Sequence, residues 1–158
     1  MIPSKVRQMI QRQQVIIVGS ADKSGLSNVS PRTSFYIDQA GSIYWLELFR
    51  HKTFRNFQRN SWCSVAIFDK KKISGYQLKG KIEIISDKKV KQEITTKIVD
   101  KLTRLHRQRI LKYTSDKIPN VIKFTSQIVY SLNPNELADS PLELDANNEP
   151  MKAANMQW

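Results

Sequence analysis

The chain of 158 residues is poor in several things, and each shortage narrows what it can be. A single cysteine, Cys63, excludes an internal disulfide. It sits in the apolar stretch WCSVAIFD, where it reads as a buried, inert thiol rather than a nucleophile. The two histidines, His51 and His106, are far apart and have no Cys or His at ligand spacing, so no metal site is predicted. There is no G-x-G-x-x-G and no strand–helix–strand rhythm, which argues against a dinucleotide-binding Rossmann domain. The first apolar run, VIIVG at 15–19, has the length of a strand and is too short for a signal segment or a membrane span. A soluble cytoplasmic protein is the expectation.

Acidic side chains are also scarce, 14 against 26 Lys and Arg, for a net charge of +12. Five of them, Glu136, Asp139, Glu143, Asp145 and Glu149, fall in the last 23 residues beside the single Lys152. Residues 1–135 therefore hold 25 basic side chains against nine carboxylates. Such a body attracts anions, whether nucleic acid, a phosphorylated cofactor or an acidic membrane; simple solubility is the plain alternative.

What is present is one domain's worth of alternating apolar pattern, enough to bury a core without staples. PSKVRQMIQRQQ spaces Val6, Met9 and Ile10 as a helix does. The runs after it form a hairpin with its turn at Asp22–Gly25 and its second strand running on through TSFYID, then a turn at QAG (39–41) and a strand through SIYWLEL. A short amphipathic helix starts near Lys52, with Phe54 and Phe57 on one side and Lys52, Arg55, Asn56 and Arg59 on the other. Two strands follow, SWCSVAIFD and SGYQLKGKIEIIS, the second with Gly75 and Gly80 as bends or bulges. The longest helix is predicted over 88–113, with an apolar stripe of Val90, Ile94, Ile98, Leu102 and Leu105. VIKFTSQIVYSL is the last strand. The reading is a mainly β protein with flanking helices: a six-stranded antiparallel split β-barrel over 1–132, with a long helix before the last strand. Residues 133–158 form an extended or disordered acidic C-terminal tail.

Three stretches carry candidate chemistry. LSNVSPRTS places Pro31, which marks an edge or bulge, among the donors Ser27, Asn28, Ser30, Arg32, Thr33 and Ser34. FRHKTFRNFQRN (49–60) packs five basic or potentially basic side chains with three aromatic rings. It is compatible with a nucleic-acid grip, with a hold on one phosphate through Lys52 and Thr53, or with a solvated helix whose phenylalanines face the core. SGYQLKGKIEII by itself reads only as a barrel strand.

In order, Asn28-Val29-Ser30-Pro31, Lys52-Thr53, Asn56, Arg59-Asn60 and Gly75-Tyr76…Gly80 form a pattern over roughly residues 5–130. The pattern resembles the FMN-binding split-barrel family related to pyridoxamine 5′-phosphate oxidase. The resemblance implies a flavoprotein: a homodimer with FMN at the subunit interface, acting as an oxidoreductase or flavin reductase on a small-molecule electron donor or acceptor. It puts the FMN phosphate against Lys52, Thr53 and the Ser30, Pro31, Arg32 stretch. The flavin ring lies by Thr33, Ser34, Leu46, Glu47 and Leu48, and Gln77 reaches the partner's flavin. His51 stands where many relatives have glycine, so it either blocks close backbone approach or itself touches the phosphate or ring. The arginine and histidine motif that binds substrate in true pyridoxamine phosphate oxidases is absent, so that activity is not implied, and no catalytic residue is named. The alternatives from other classes are a basic split-barrel protein without FMN turnover, engaging nucleic acid or an acidic partner through helix 88–113, and a relative that uses heme or a deazaflavin.

Overall fold

The run IYWLE has no polar alternation, and a strand with that pattern is buried on both faces. It does form such a strand, β4 (Ile43–Glu47), every residue of which is buried. Ile43 and Trp45 point into one core and Tyr44 and Leu46 into another, and the rest of the fold is arranged around this division. The structure, a computed structural model, describes residues 2–114, 118–136 and 142–144.

The strands are β1 (Ile16–Ala21), β2 (Ser27–Arg32), β3 (Phe35–Ile37), β4, β5 (Trp62–Asp69), β6 (Ser74–Ile84), β7 (Asn120–Ser131) and the two-residue β8 (Glu143–Leu144). They form one antiparallel sheet in the order β2-β1-β5-β6-β7-β4-β3, with β8 added on β7. The sheet curls into the split barrel expected from the sequence. The predicted strand through SNVSPRTSFYID is two strands, because the chain bends at Thr33–Ser34 between β2 and β3. The bend is held by Leu46, whose N–H donates to the Ser34 carbonyl at 3.4 Å. β2 and β3 thus lie at the two ends of the sheet although only two residues separate them.

The predicted β1–β2 turn is present: Gly25 has a φ of +86°, and Asp22 Oδ1 accepts from the N–H groups of Ser24 and Leu26. Gly80 faces the β6–β7 irregularity, where the register slips by one between Lys79 and Gly80. A Cβ there would collide with the Thr125 carbonyl oxygen, so only glycine lets the strands approach.

Helix α1 (Ser4–Arg12) buries Val6, Met9 and Ile10 in the barrel core beside Trp45 and Phe124. Its Arg7 donates from Nη1 and Nη2 to the carbonyls of Asp38 and Gln39, fastening the β3–β4 turn. Helix α2 (Lys52–Phe57) begins at the predicted residue and buries Phe54 and Phe57 in the same core. The long helix predicted over 88–113 is helical but broken into α3 (Lys88–Asp100) and α4 (Arg104–Thr114). The break has a local cause: the Thr103 hydroxyl accepts from His106 N–H at 3.5 Å and opens a second helix. Ile94, Ile98 and Ile110 cover the outer face of β4 and β7. Val90 and Leu105, assigned to the stripe, are instead exposed.

Among the described residues no helix covers the outer face of β1, β2 and β5, and Ile17, Val29, Trp62 and Phe68 are exposed there. Among the described residues no helix is long and apolar enough to cross a membrane. Of the C-terminal tail, a 3-10 turn (Pro134–Glu136) and β8 are described; β8 is extended and pairs Leu144 with Ile128. The remainder of that expectation lies outside the described residues.

Candidate cofactor site

Where the bent strand passes the end of β4 and the start of α2 there is a cleft of about 280 Å³. Ten of the twelve residues proposed from the sequence line it. Ser30, Pro31, Arg32, Thr33 and Ser34 come from the bent strand, Leu46, Glu47 and Leu48 from the end of β4, and His51 and Thr53 from the start of α2. Lys52 is exposed at the first position of α2 and is not part of the lining. Gln77 is elsewhere, opposite Ala66 and Tyr130 on β6, and alternates with the buried Leu78.

Thr53 is buried and central. Its Oγ1 accepts from Asn28 Nδ2 at 2.9 Å and shares a hydrogen bond with Ser30 Oγ at 3.0 Å. Ser30 Oγ also accepts from Arg32 Nη1 at 3.0 Å. The two hydroxyls carry two protons, and the bond between them uses one. The other has no acceptor among the described residues and is available to a ligand oxygen.

Arg32 is otherwise engaged. Its Nε and Nη2 donate to Glu47 Oε1 at 3.1 and 2.5 Å, and its Nη1 donates to the Pro31 carbonyl at 2.8 Å. Glu47 is buried, and Oε1 also accepts from the Trp45 indole at 3.1 Å. The sequence reading placed Arg32 with the phosphate; the structure gives its charge a carboxylate partner. No described residue bonds Glu47 Oε2, an acceptor suited to a ligand N–H and unsuited to a phosphate.

His51 precedes α2 in an extended conformation, and its side chain does not cap the helix. Its ring lies 5.4 Å from that of Phe49, which meets the edge of Tyr113 at 5.1 Å. The sequence reading missed Phe49, which lines the cleft, and Tyr113. Phe49 stood next to named residues and could have been included, whereas nothing in the sequence signals that the last turn of α4 returns here. Asn56, also buried, donates from Nδ2 to Ser20 Oγ at 3.0 Å and ties α2 to β1. Burial pushes the Cys63 thiol up to about 12, so it is protonated at neutral pH and is no nucleophile. No cluster of three potential metal ligands occurs among the described residues.

Comparison with known proteins agrees with this architecture. The family model described as pyridoxamine 5′-phosphate oxidase matches residues 2–132. No curated protein matches the chain significantly. Similar solved structures include HupZ of Group A Streptococcus (18% identity, 85% of this chain and 96% of that one, TM-score 0.63). A second is a Clostridium acetobutylicum protein related to general stress protein 26, of the pyridoxinephosphate oxidase family (16%, 80% and 84%, 0.64). A third is HutZ, the heme storage protein of Vibrio cholerae (13%, 80% and 90%, 0.61). At such identities the structural likeness speaks for the fold alone. The family match spans most of the chain and the fold is the one it requires, so this chain belongs to the pyridoxamine 5′-phosphate oxidase family.

Proposed function

We propose that the chain is an FMN-binding flavoprotein of the oxidoreductase class, working as a homodimer with the cofactor at the subunit interface. The observation that carries this reading is the Arg32–Ser30–Thr53–Asn28 relay, which leaves one hydroxyl proton with no acceptor among the described residues. A phosphate oxygen is a fitting acceptor, and the exposed Lys52 next to Thr53 supplies the charge that Arg32, paired with Glu47, does not. The apolar walls at Leu46 and Leu48 suit a flat ring, and Glu47 Oε2 suits a ring N–H. When bound, the flavin supplies the hydride or electron chemistry; the chain binds it, orients it and shields it from water.

Size supports the dimer. A cleft of about 280 Å³ is at the bottom of the range for drug-sized ligands, so one chain encloses only part of a flavin. The uncovered sheet face, with Val29 67% and Phe68 51% exposed, is the apolar surface a second chain would bury, and Gln77 would reach the partner's cofactor from β6.

A second reading, heme, is favoured by one observation besides the likeness to HutZ: the exposed His51 ring at the rim of the cleft. Absorption spectra of the purified protein titrated with FMN and with hemin separate the two. Lys52→Ala with Thr53→Ala removes two charge-assisted contacts and should weaken FMN binding about a hundredfold or more. Unchanged affinity would remove the phosphate assignment, and a monomer in sedimentation would remove the shared interface.

A further inference from the structure

We propose that a second and larger cleft binds a small organic anion with an apolar body. This cleft, of about 580 Å³, lies between the end of α1, strand β3 and the α3–α4 junction. Its basic groups come from three elements: Arg12 from the last turn of α1, Lys101 from the end of α3 and His106 from the first turns of α4. None of the fourteen described residues that line it is acidic. Neither Arg12 nor Lys101 pairs with a carboxylate among the described residues, unlike Arg32 with Glu47 or Arg107 with Asp100. Helix ends account for part of this charge. The C-termini of α1 and α3 each carry about half a negative elementary charge, so the two cations leave about one net positive charge. The N-terminus of α4 at the same junction adds to it.

The remaining wall mixes the apolar Ile10, Val15, Ile37 and Leu102 with polar glutamines and threonines. Phe35 and Tyr36 of β3 line it, and Lys101 Nζ lies 4.6 Å from the centre of the Tyr36 ring, which holds the ammonium at the cleft. Cations set beside aromatic and aliphatic side chains match a carboxylate, sulfonate or phosphate ester carried on a hydrocarbon or aromatic body. Thr33, in the strand bend, lines this cleft and the candidate cofactor cleft alike. An anion held here is therefore one residue away from the first site, where a second reactant belongs. That role rests on the flavoprotein reading; the binding itself does not.

The test uses the full chain, with and without FMN, titrated with 8-anilinonaphthalene-1-sulfonate and followed by the dye's fluorescence. Benzoate and phenyl phosphate are then compared as competitors, to tell a carboxylate ligand from a phosphate ester. One dye should bind per chain, and Arg12→Gln with Lys101→Gln should weaken it about ten- to a hundredfold. Lys70→Gln with Lys71→Gln, in the β5–β6 turn and outside the cleft lining, removes the same charge and should change affinity by less than about twofold, since charges that do not touch the ligand are screened by salt. Equal loss in both double variants would reduce the effect to net charge, and no loss in either would move the dye elsewhere; both overturn the proposal. Should the cleft variant fail to fold, NMR of the wild-type His106 ring decides: a shift on adding benzoate or phenyl phosphate supports the site, and none with either removes it. Dye binding without FMN binding would refute the flavoprotein reading and leave this one standing.

Discussion

Asn56 of α2 and Ser20 of β1 are 36 positions apart and share a hydrogen bond of 3.0 Å with both residues buried. This bond sets the short helix against the barrel and so fixes where Thr53 meets Ser30. Asn56→Ala should destabilise the fold by about 1–3 kcal/mol, because it strands the Ser20 hydroxyl out of water. Adding Ser20→Ala should recover part of that loss. Denaturant melts of the single and double variants measure both, and an additive pair would show that the bond contributes nothing.

The Arg32–Glu47 pair predicts an asymmetry. Arg32→Met leaves a buried carboxylate uncompensated and should cost about 3–5 kcal/mol. Glu47→Gln keeps an acceptor for the Trp45 indole and should cost less. Urea midpoints at neutral pH give the order, and equal losses would mean that the pair is solvated.

Cys63 should resist a thiol reagent at neutral pH in the folded protein and react at once in denaturant. Its thiol is buried and pushed up to about 12. Rapid labelling under native conditions would mean that β5 opens readily.

Tyr44 predicts an alkaline effect of definite sign. Burial, and then the charge of Asp38, push its hydroxyl up to about 12 from an ordinary value of 10.0. Its O–H donates to Asp38 Oδ2 at 3.1 Å. Between those pH values the unfolded chain releases this proton while the folded chain keeps it, so stability falls as pH rises. Below pH 10 the contribution is fully present. Tyr44→Phe should therefore have a shallower decline in urea midpoint between pH 10 and 12 than the wild type, and parallel curves would exclude the linkage.

Gly80→Ala should disturb the β6–β7 pairing, since the new Cβ meets the backbone of Thr125 and Ser126. A loss of about 1–3 kcal/mol is expected from such crowding, read as a lowered melting temperature.

Much of this architecture could be read from residue patterns alone. The alternation in VIKFTSQIVYSL marks β7, the phenylalanines at i, i+3 mark α2, and Gly80 marks the irregular pairing. The grouping of Ser30–Ser34 with Leu46–Leu48 and Thr53 came from the family resemblance and not from periodicity. What was not legible depends on distance in the chain. The carboxylate that partners Arg32 is fifteen residues away with no signal between them. Asn56 stands in the family pattern, but nothing in the sequence names its partner Ser20. The break before α4 turns on one threonine hydroxyl, and apolar spacing continued across it.

The bend at Thr33–Ser34 has one more consequence. Among the described residues it leaves β2 and β3 as the two terminal strands of a sheet that does not close, each with an unpaired row of backbone groups. Such edges invite other chains to add on. Pro31 removes a donor from the β2 edge, and β3 is only three residues long. The same short stretch that lines two clefts also protects the protein against edge-to-edge aggregation.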